Sequence, residues 1–124
     1  MIEGSFSDFH PLPTVKVFVE FKEAVVYSEF ILDTGFSGDL KIDLQTAVEL
    51  GIKELDMKYI YNANGQRVPV GFAYGFAELE NKKKSVEIIV ADGPHLLGIS
   101  FLASFGYASF VDCKNWICRL EAAP

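Results

Sequence analysis

The residues with the most evident chemical potential are Asp33, Thr34 and Gly35, which directly follow the large apolar residues Phe30 to Leu32. A carboxylate held at the end of an apolar strand can exchange protons with a substrate as a general acid or base. The same residues also suit an ordinary turn with an exposed Asp33, because Asp and Gly favour turns. The tripeptide alone does not distinguish these interpretations, so the rest of the sequence has to be considered.

The composition of the chain indicates one globular domain. Its 124 residues match the usual length of a single domain, and 50% of them are hydrophobic, which is enough to build a core. Eleven basic and 17 acidic residues give a net charge of -6. Because nucleic-acid affinity comes mostly from basic residues, this balance argues against a nucleic-acid partner. We therefore predict a single domain over residues 1–124.

Several other kinds of site or location are disfavoured by the sequence. No apolar run approaches the roughly 18 residues of a membrane span, and the first residues lack the pattern of a secretory signal, so we expect a cytoplasmic protein without a membrane partner.

Cys113 and Cys118 are too few for a disulfide framework or a zinc site. We expect two free thiols, although a longer turn between them leaves a pairing open. His10 and His95 lie far apart, so we expect no metal site, and we expect His95 to be exposed in a loop.

Alternating apolar and polar residues place Asp33 at the end of a β-hairpin. The pattern over Val15 to Phe21 is typical of a half-buried strand. A second apolar segment, Val25 to Leu32, follows a short polar turn and runs directly into Asp33. Beyond the turn we predict a short strand over Leu40 to Ile42 and then a helix with Asp43 as its N-cap.

The middle of the chain predicts a second hairpin with Asn64-Gly65 at its tip. Asn-Gly between two strand-like runs is a strong hairpin signal. It joins a strand over Met57 to Tyr61 to a return strand over Val68 to Leu79, which has one bulky face and one small face. Small residues allow a neighbouring backbone to approach closely. We predict a turn over Glu80 to Lys84.

The last third of the chain predicts a short helix and a final hairpin. Leu96-Leu97-Gly98 precedes the helix, for which Ser100 is a candidate cap and Gly106 a candidate stop. The hairpin strands are expected over Ala108 to Asp112 and Trp116 to Leu120. The predicted order is therefore strand, Asp-Thr-Gly turn, hairpin, strand, apolar-apolar-Gly, helix and final strand.

This order of elements resembles the retropepsin-like aspartic proteases, over about Val15 to Leu120. It is similar in particular to small bacterial and archaeal proteases of that clan, whose catalytic turn reads Asp-Thr-Gly-Phe, as Asp33 to Phe36 do here. The resemblance implies a mainly β fold, a closed barrel with one or two short helices, in a single lobe that dimerises. Residues 1–13 then form an N-terminal arm, and the hairpin over residues 57–79 takes the place of the flap.

The resemblance also implies a reaction, the hydrolysis of peptide bonds in an extended peptide or protein. Two carboxylates share one proton: one activates a water and the other polarises the scissile carbonyl. Because the chain has one Asp-Thr-Gly, the resemblance implies a homodimer in which each copy supplies Asp33 on the two-fold axis, with no metal or cofactor. Thr34 would hydrogen-bond across the dimer, and Gly35 would donate its N–H to the carboxylate.

Further residues are placed near the substrate by the same resemblance. Phe36 either lines a subsite or packs in the core. Ser37 either donates to the outer carboxylate oxygen or is a turn hydroxyl bonded within its own loop. Asn64 and Gly65 would form the tip of the flap, and Tyr61 would bring a hydroxyl near the site.

Two other function classes remain open. The first is a catalytically silent peptide-binding or dimerisation module on the same fold, since a fold alone does not secure a function. An intact Asp-Thr-Gly argues against it, because a structural role would not require the carboxylate. The second is a monomeric β-barrel that binds a small ligand.

Asp39 is expected to be a solvated turn residue or to lie at the start of the helix.

Overall fold

The computed structural model describes residues 1–8 and 11–124, so the expectation for His10 lies outside the described residues. The described part of the chain forms eleven strands and two helices. Neither helix there is long and apolar enough to cross a membrane. In chain order the elements are β1 (Ile2–Glu3), β2 (Ser5–Phe6), β3 (Pro13–Phe21), β4 (Ala24–Leu32), β5 (Leu40–Ile42), α1 (Leu44–Glu49), β6 (Asp56–Tyr61), β7 (Arg67–Leu79), β8 (Lys82–Val90), β9 (Leu96–Leu97), α2 (Ile99–Phe105), β10 (Tyr107–Asp112) and β11 (Ile117–Ala122).

The strands form two sheets. The larger has the order β2-β3-β4-β9-β5-β8-β7-β6, and β3 also pairs with β7. This extra pairing closes β3, β4, β9, β5, β8 and β7 into a ring, so the prediction of a mainly β closed barrel with short helices is confirmed. The smaller sheet has the order β1-β11-β10 and joins both ends of the chain.

The barrel core is built from inward-facing apolar side chains. Val15, Val17 and Val19 alternate inward along β3 and are at most 1% exposed. The small face of β7 also points inward, where a Cβ atom on Gly75 would lie 2.6 Å from the Glu20 carbonyl oxygen. The small residues of β7 therefore allow the close β3–β7 crossing that closes the barrel.

The two helices begin in different ways. Asp43 caps α1, as predicted, by accepting the Thr46 N–H at Oδ1 over 2.8 Å. The prediction that Ser100 caps α2 is wrong, because Gly98 is the N-cap and Ser100 lies inside the helix. The Ile99 N–H instead donates to the Phe36 carbonyl oxygen over 2.9 Å, so a first-turn donor is satisfied without a side-chain cap. Gly106 ends α2 with a φ of 75°, as predicted.

Two turns are not where the sequence predicted them. The prediction that the turn extends from Glu80 to Lys84 is wrong. Only Glu80 and Asn81 lie outside the strands, and both have positive φ, which suits a two-residue hairpin turn. The final hairpin turns over residues 113–116, with Asp112 opposite Ile117, so Trp116 is not in a strand. Cys113 is exposed and Cys118 is buried, and both thiols are free, as predicted.

Candidate active site

The Asp-Thr-Gly turn begins at the end of β4 and is fixed by β9. Phe30 and Leu32 of β4 are buried, and they hold the end of the strand in the core. The Asp33 N–H donates to the Leu97 carbonyl oxygen over 3.0 Å, and the Ile31 N–H donates to the His95 carbonyl oxygen over 2.9 Å. The backbone of Asp33 is therefore set by the parallel pairing of β4 with β9.

The carboxylate of Asp33 is held by the turn that follows it. Its Oδ1 accepts the Gly35 N–H over 2.9 Å, and the Phe36 N–H donates to the Asp33 carbonyl oxygen over 3.1 Å. A Cβ atom on residue 35 would lie 3.2 Å from Asp33 Oδ1, so glycine suits this approach. Asp33 is half-buried while Thr34 and Gly35 are exposed. The carboxylate is thus fixed in place and still accessible.

The junction of β9 with α2 packs directly against the turn. The Gly98 N–H donates to the Asp39 carbonyl oxygen over 2.9 Å. A Cβ atom on Gly98 would lie 2.6 Å from the Phe36 carbonyl oxygen and 2.2 Å from that of Gly38. The glycine of Leu96-Leu97-Gly98 is therefore required by contact with the Asp33 turn.

Asp39 is neither a solvated turn residue nor at the start of the helix, so both expectations for it are wrong. It is half-buried, and its Oδ2 accepts the Glu87 N–H of β8 over 2.9 Å. Because β5 pairs with β8 directly after Asp39, the carboxylate reaches the backbone of a neighbouring strand. Asp39 joins the end of the turn to the barrel.

A cavity of about 290 Å³ lies between the turn and β6. Phe36 lines it and also packs its ring on Gly38, so it contributes both to the cavity wall and to local packing. Ser37 and Tyr61, two of the predicted substrate-binding residues, line it as well. The sequence did not single out Lys58, whose ammonium forms an ion pair with Glu87 in this wall. The full lining comprises Gly35, Phe36, Ser37, Gly38, Lys58, Tyr59, Ile60, Tyr61 and Ile89.

The hairpin of β6 and β7 ends in a turn organised by Asn62. Its Oδ1 accepts the N–H groups of Asn64 and Gln66, both over 3.0 Å. Gly65 adopts a φ of 76°, which favours glycine. Asn64 and Gly65 are at the tip, as predicted, but they are not among the residues that line the cavity.

His95 is not the exposed loop residue that the sequence suggested. Its side chain is 13% exposed. Nδ1 lies 2.9 Å from Ser28 Oγ, and Nε2 lies 3.1 Å from Thr46 Oγ1 and 3.3 Å from Asp43 Oδ1. The neighbouring Gly93 and Pro94 are typical of a loop, but the partners of the ring come from distant parts of the chain. Local sequence carries no signal for such contacts.

Two hydroxyl groups beside Asp33 have no hydrogen-bond partner among the described residues. Thr34 and Ser37 are exposed, and neither side chain forms a hydrogen bond to residues 1–8 or 11–124. The Ser37 hydroxyl therefore does not reach the Asp33 carboxylate here. In the same part of the chain no three His, Cys, Asp or Glu side chains lie close enough to hold a metal ion together.

Comparison with known proteins identifies the fold. Neither a family model nor a curated protein matches the chain. Among solved structures, the EIAV protease in complex with the inhibitor HBY-793 is similar at a TM-score of 0.62 and 17% sequence identity. The match covers 86% of this chain and 98% of the EIAV protease chain. At this identity the similarity shows the fold alone, which is that of the retropepsin-type aspartic proteases.

Proposed function

We propose that the chain is an aspartic endopeptidase that hydrolyses peptide bonds with a water held between the Asp33 carboxylates of two copies in a homodimer. One observation carries the proposal. On a retroviral protease fold, the Asp33 carboxylate is held by the N–H of Gly35, which itself lines a cavity between the turn and β6. A catalytic carboxylate has to be both fixed and accessible, and Asp33 is both.

The reaction requires two carboxylates with different protonation states. Two such groups within about 3 Å cannot both ionise, so they share one proton and titrate as a unit. The ionised Asp33 takes a proton from the water, which attacks the scissile carbonyl carbon. The protonated Asp33 donates a hydrogen bond to the carbonyl oxygen. When the C–N bond breaks, a proton passes to the leaving amine.

An extended peptide is the substrate that the cavity suits best. The strand β6 is the last strand of the larger sheet, so one of its edges is unpaired among the described residues. An extended chain can add to such an edge through backbone hydrogen bonds. The apolar side chains of Phe36 and Ile89 then contact the side chains of the peptide.

A second copy of the chain is supported by the single Asp-Thr-Gly and by an open edge of the smaller sheet. The strand β10 pairs with β11 on one side only, within the described residues, and Ala108 to Val111 are exposed. Lys and Pro, which commonly protect sheet edges, are absent from β10. An antiparallel pair of β10 strands centred between Ser109 and Phe110 sets Asp112 opposite Tyr107, so like charges do not meet.

A cytoplasmic location is part of the proposal, and the free thiols of Cys113 and Cys118 are consistent with its reducing conditions.

The test is cleavage of a mixture of unfolded proteins by the wild type and by Asp33→Asn, from about pH 3 to about pH 8, with products identified by mass spectrometry. We expect peptides that only the wild type produces, in amounts that fall at high pH as the pair loses its shared proton. Identical products from two folded, dimeric proteins would contradict the proposal and favour a catalytically silent peptide-binding module.

A further inference from the structure

The ring of His95 joins three elements of the fold. Nδ1 lies 2.9 Å from Ser28 Oγ on β4, and Nε2 lies 3.1 Å from Thr46 Oγ1 on α1. Nε2 is also 3.3 Å from Oδ1 of Asp43, the N-cap of α1. The ring centroid lies 5.2 Å from that of the fully buried Phe30. Both ring nitrogens are thus satisfied by protein groups rather than by solvent.

His95 stands directly before β9, the strand that holds Asp33. Its carbonyl oxygen accepts the Ile31 N–H over 2.9 Å, and the Leu97 carbonyl oxygen accepts the Asp33 N–H over 3.0 Å. His95, whose ring is anchored, lies directly before β9, and Leu97, which holds the turn, lies two residues further on in that strand. A displacement of His95 would be passed to Asp33 through these backbone bonds.

The strand β9 is short and is held at both of its ends. It consists of Leu96 and Leu97 alone, and pairs with β4 and β5 over those residues only. In the loop before it, the Lys41 ammonium donates to the Pro94 carbonyl oxygen over 2.9 Å. Leu97 is buried and the Gly98 N–H donates to the Asp39 carbonyl oxygen, so the end of β9 is fixed by the core and the Asp33 turn. Its start is fixed by the side chains of His95 and Lys41.

The partners of the ring fix which nitrogen carries a proton. The Thr46 hydroxyl donates to the Asp43 carboxylate, so Nε2 donates to this pair, and Ser28 Oγ bonds to Nδ1. Hydrogen bonds from the Thr46 hydroxyl and amide, and then from His95, favour the ionised Asp43 carboxylate and lower its pKa to about 2. The arrangement therefore fixes the orientation of the ring.

We infer that His95 is a positioning residue for Asp33, an inference that rests on the proposed endopeptidase activity. The ring fixes the start of β9 against β4 and α1, and β9 holds the Asp33 amide through the Leu97 carbonyl. Two carboxylates share a proton only at close separation, and a displacement of about 1 Å at a reacting group can lower a rate about a hundredfold. His95 thus sets the separation of the two Asp33 carboxylates without touching the substrate.

Three substitutions separate the bond that Nδ1 forms toward β4 from the bonds that Nε2 forms toward α1. His95→Gln keeps a polar group near the position of Nε2, toward α1, and loses the bond to Ser28. His95→Asn keeps one near Nδ1, toward β4, and loses the bonds to Thr46 and Asp43. His95→Phe keeps the packing on Phe30 and loses the bonds of both ring nitrogens. Gln45→Ala, at an exposed position of α1, is the matched control.

The first measurement is hydrogen exchange of single amides by NMR, which does not depend on activity. We expect His95→Phe to lower the protection of the Asp33 amide about tenfold or more, with smaller losses in His95→Gln and His95→Asn. The reference is the Gly4 amide, which donates to the Cys118 carbonyl oxygen in the smaller sheet and should change little. Equal losses at Asp33 and Gly4 would show general destabilisation and would overturn the inference, as would unchanged protection at Asp33.

The second measurement is steady-state cleavage of a peptide substrate identified with the wild type. We expect His95→Phe to lower kcat about tenfold or more with KM changed at most about twofold, partial recovery in His95→Gln or His95→Asn, and no change in Gln45→Ala. A kcat that stays at the wild-type value in His95→Phe would refute the positioning role. If the wild type cleaves nothing while the Asp33 amide loses protection in His95→Phe, the proposed function fails but the positioning of the turn by His95 stands.

Discussion

Gly98 lies so close to Gly38 that a Cβ atom on Gly98 would stand 2.2 Å from the Gly38 carbonyl oxygen. The two glycines belong to the apolar-apolar-Gly element and to the Asp33 turn, which are far apart in the sequence. Their contact explains why the resemblance depends on both motifs together. Each motif is the surface on which the other packs, so neither can hold its shape alone.

Substitution of Gly98 by Ala should therefore destabilise the fold and abolish cleavage. The methyl group has to displace two backbone carbonyl groups, and we expect a loss of about 2–3 kcal/mol in the free energy of unfolding. Gly51→Ala is the control, because residue 51 has a φ of 73° and open space around it, so only the backbone conformation is penalised, by about 1 kcal/mol. Urea denaturation measures both. A smaller loss in Gly98→Ala than in Gly51→Ala would be inconsistent with the contact.

Substitution of Thr34 by Ala should weaken the dimer. The Thr34 hydroxyl is exposed and has no hydrogen-bond partner within the described protomer, so we expect it to bond to the second copy. Loss of two symmetric bonds at about 1 kcal/mol each should raise the dimer dissociation constant about tenfold or more. Sedimentation velocity measures this constant, and Thr34→Ser should restore it. An unchanged constant in Thr34→Ala would refute the proposed contact.

A charge on the open edge of β10 should also separate the copies. Val111 is 40% exposed on β10, and Lys at this position would bring two positive charges into a dimer interface there. We expect Val111→Lys to be folded and mainly monomeric at concentrations where the wild type is dimeric. The control is Val25→Lys, at a 56% exposed position of β4. If both variants keep the mass of the wild type, β10 is not the interface.

The stability of the fold should depend on pH through Asp43. Folding lowers the pKa of this carboxyl from 3.8 to about 2, mainly through the bonds from Thr46. The ionised form thus stabilises the fold above about pH 4, and the stabilisation is lost as pH falls to about 2. We expect Asp43→Asn to be less stable than the wild type near neutral pH and equal to it near pH 2. Urea denaturation across this range tests the expectation, with Glu49→Gln as control. A difference that does not change with pH would argue against it.

Much of the fold follows from local sequence patterns. The alternation over Val15 to Val19 predicted β3, Asn64-Gly65 predicted a hairpin tip, and Asp43 predicted the start of α1. In each case the physical cause acts within a few residues, as a repeat of two, a positive φ or a capping bond. Such causes can be recognised without knowledge of the rest of the chain.

The incorrect predictions concern contacts made across the sequence. Ser is a residue type that often caps helices, but in α2 the Phe36 carbonyl oxygen accepts the N–H of Ile99 in the first turn. Asp39 was expected in a solvated turn or at the start of the helix, and His95 in an exposed loop, because their neighbours are turn-forming. Their partners lie instead on β8, β4 and α1. The local alternation of apolar and polar residues does not indicate such long-range contacts. The residues of the candidate site could be found from the motif, but those that hold it in place could not.

The central claim, that Asp33 residues of two chains form one site, is tested most directly by mixing the wild type with Asp33→Asn. Subunits are exchanged at constant total protein, and cleavage of a peptide identified with the wild type is measured. Dimers with one carboxylate should be inactive, so an equal mixture should retain about a quarter of the wild-type rate. A rate of about half, in proportion to the wild-type chains alone, would show that each chain acts by itself and would contradict the shared site.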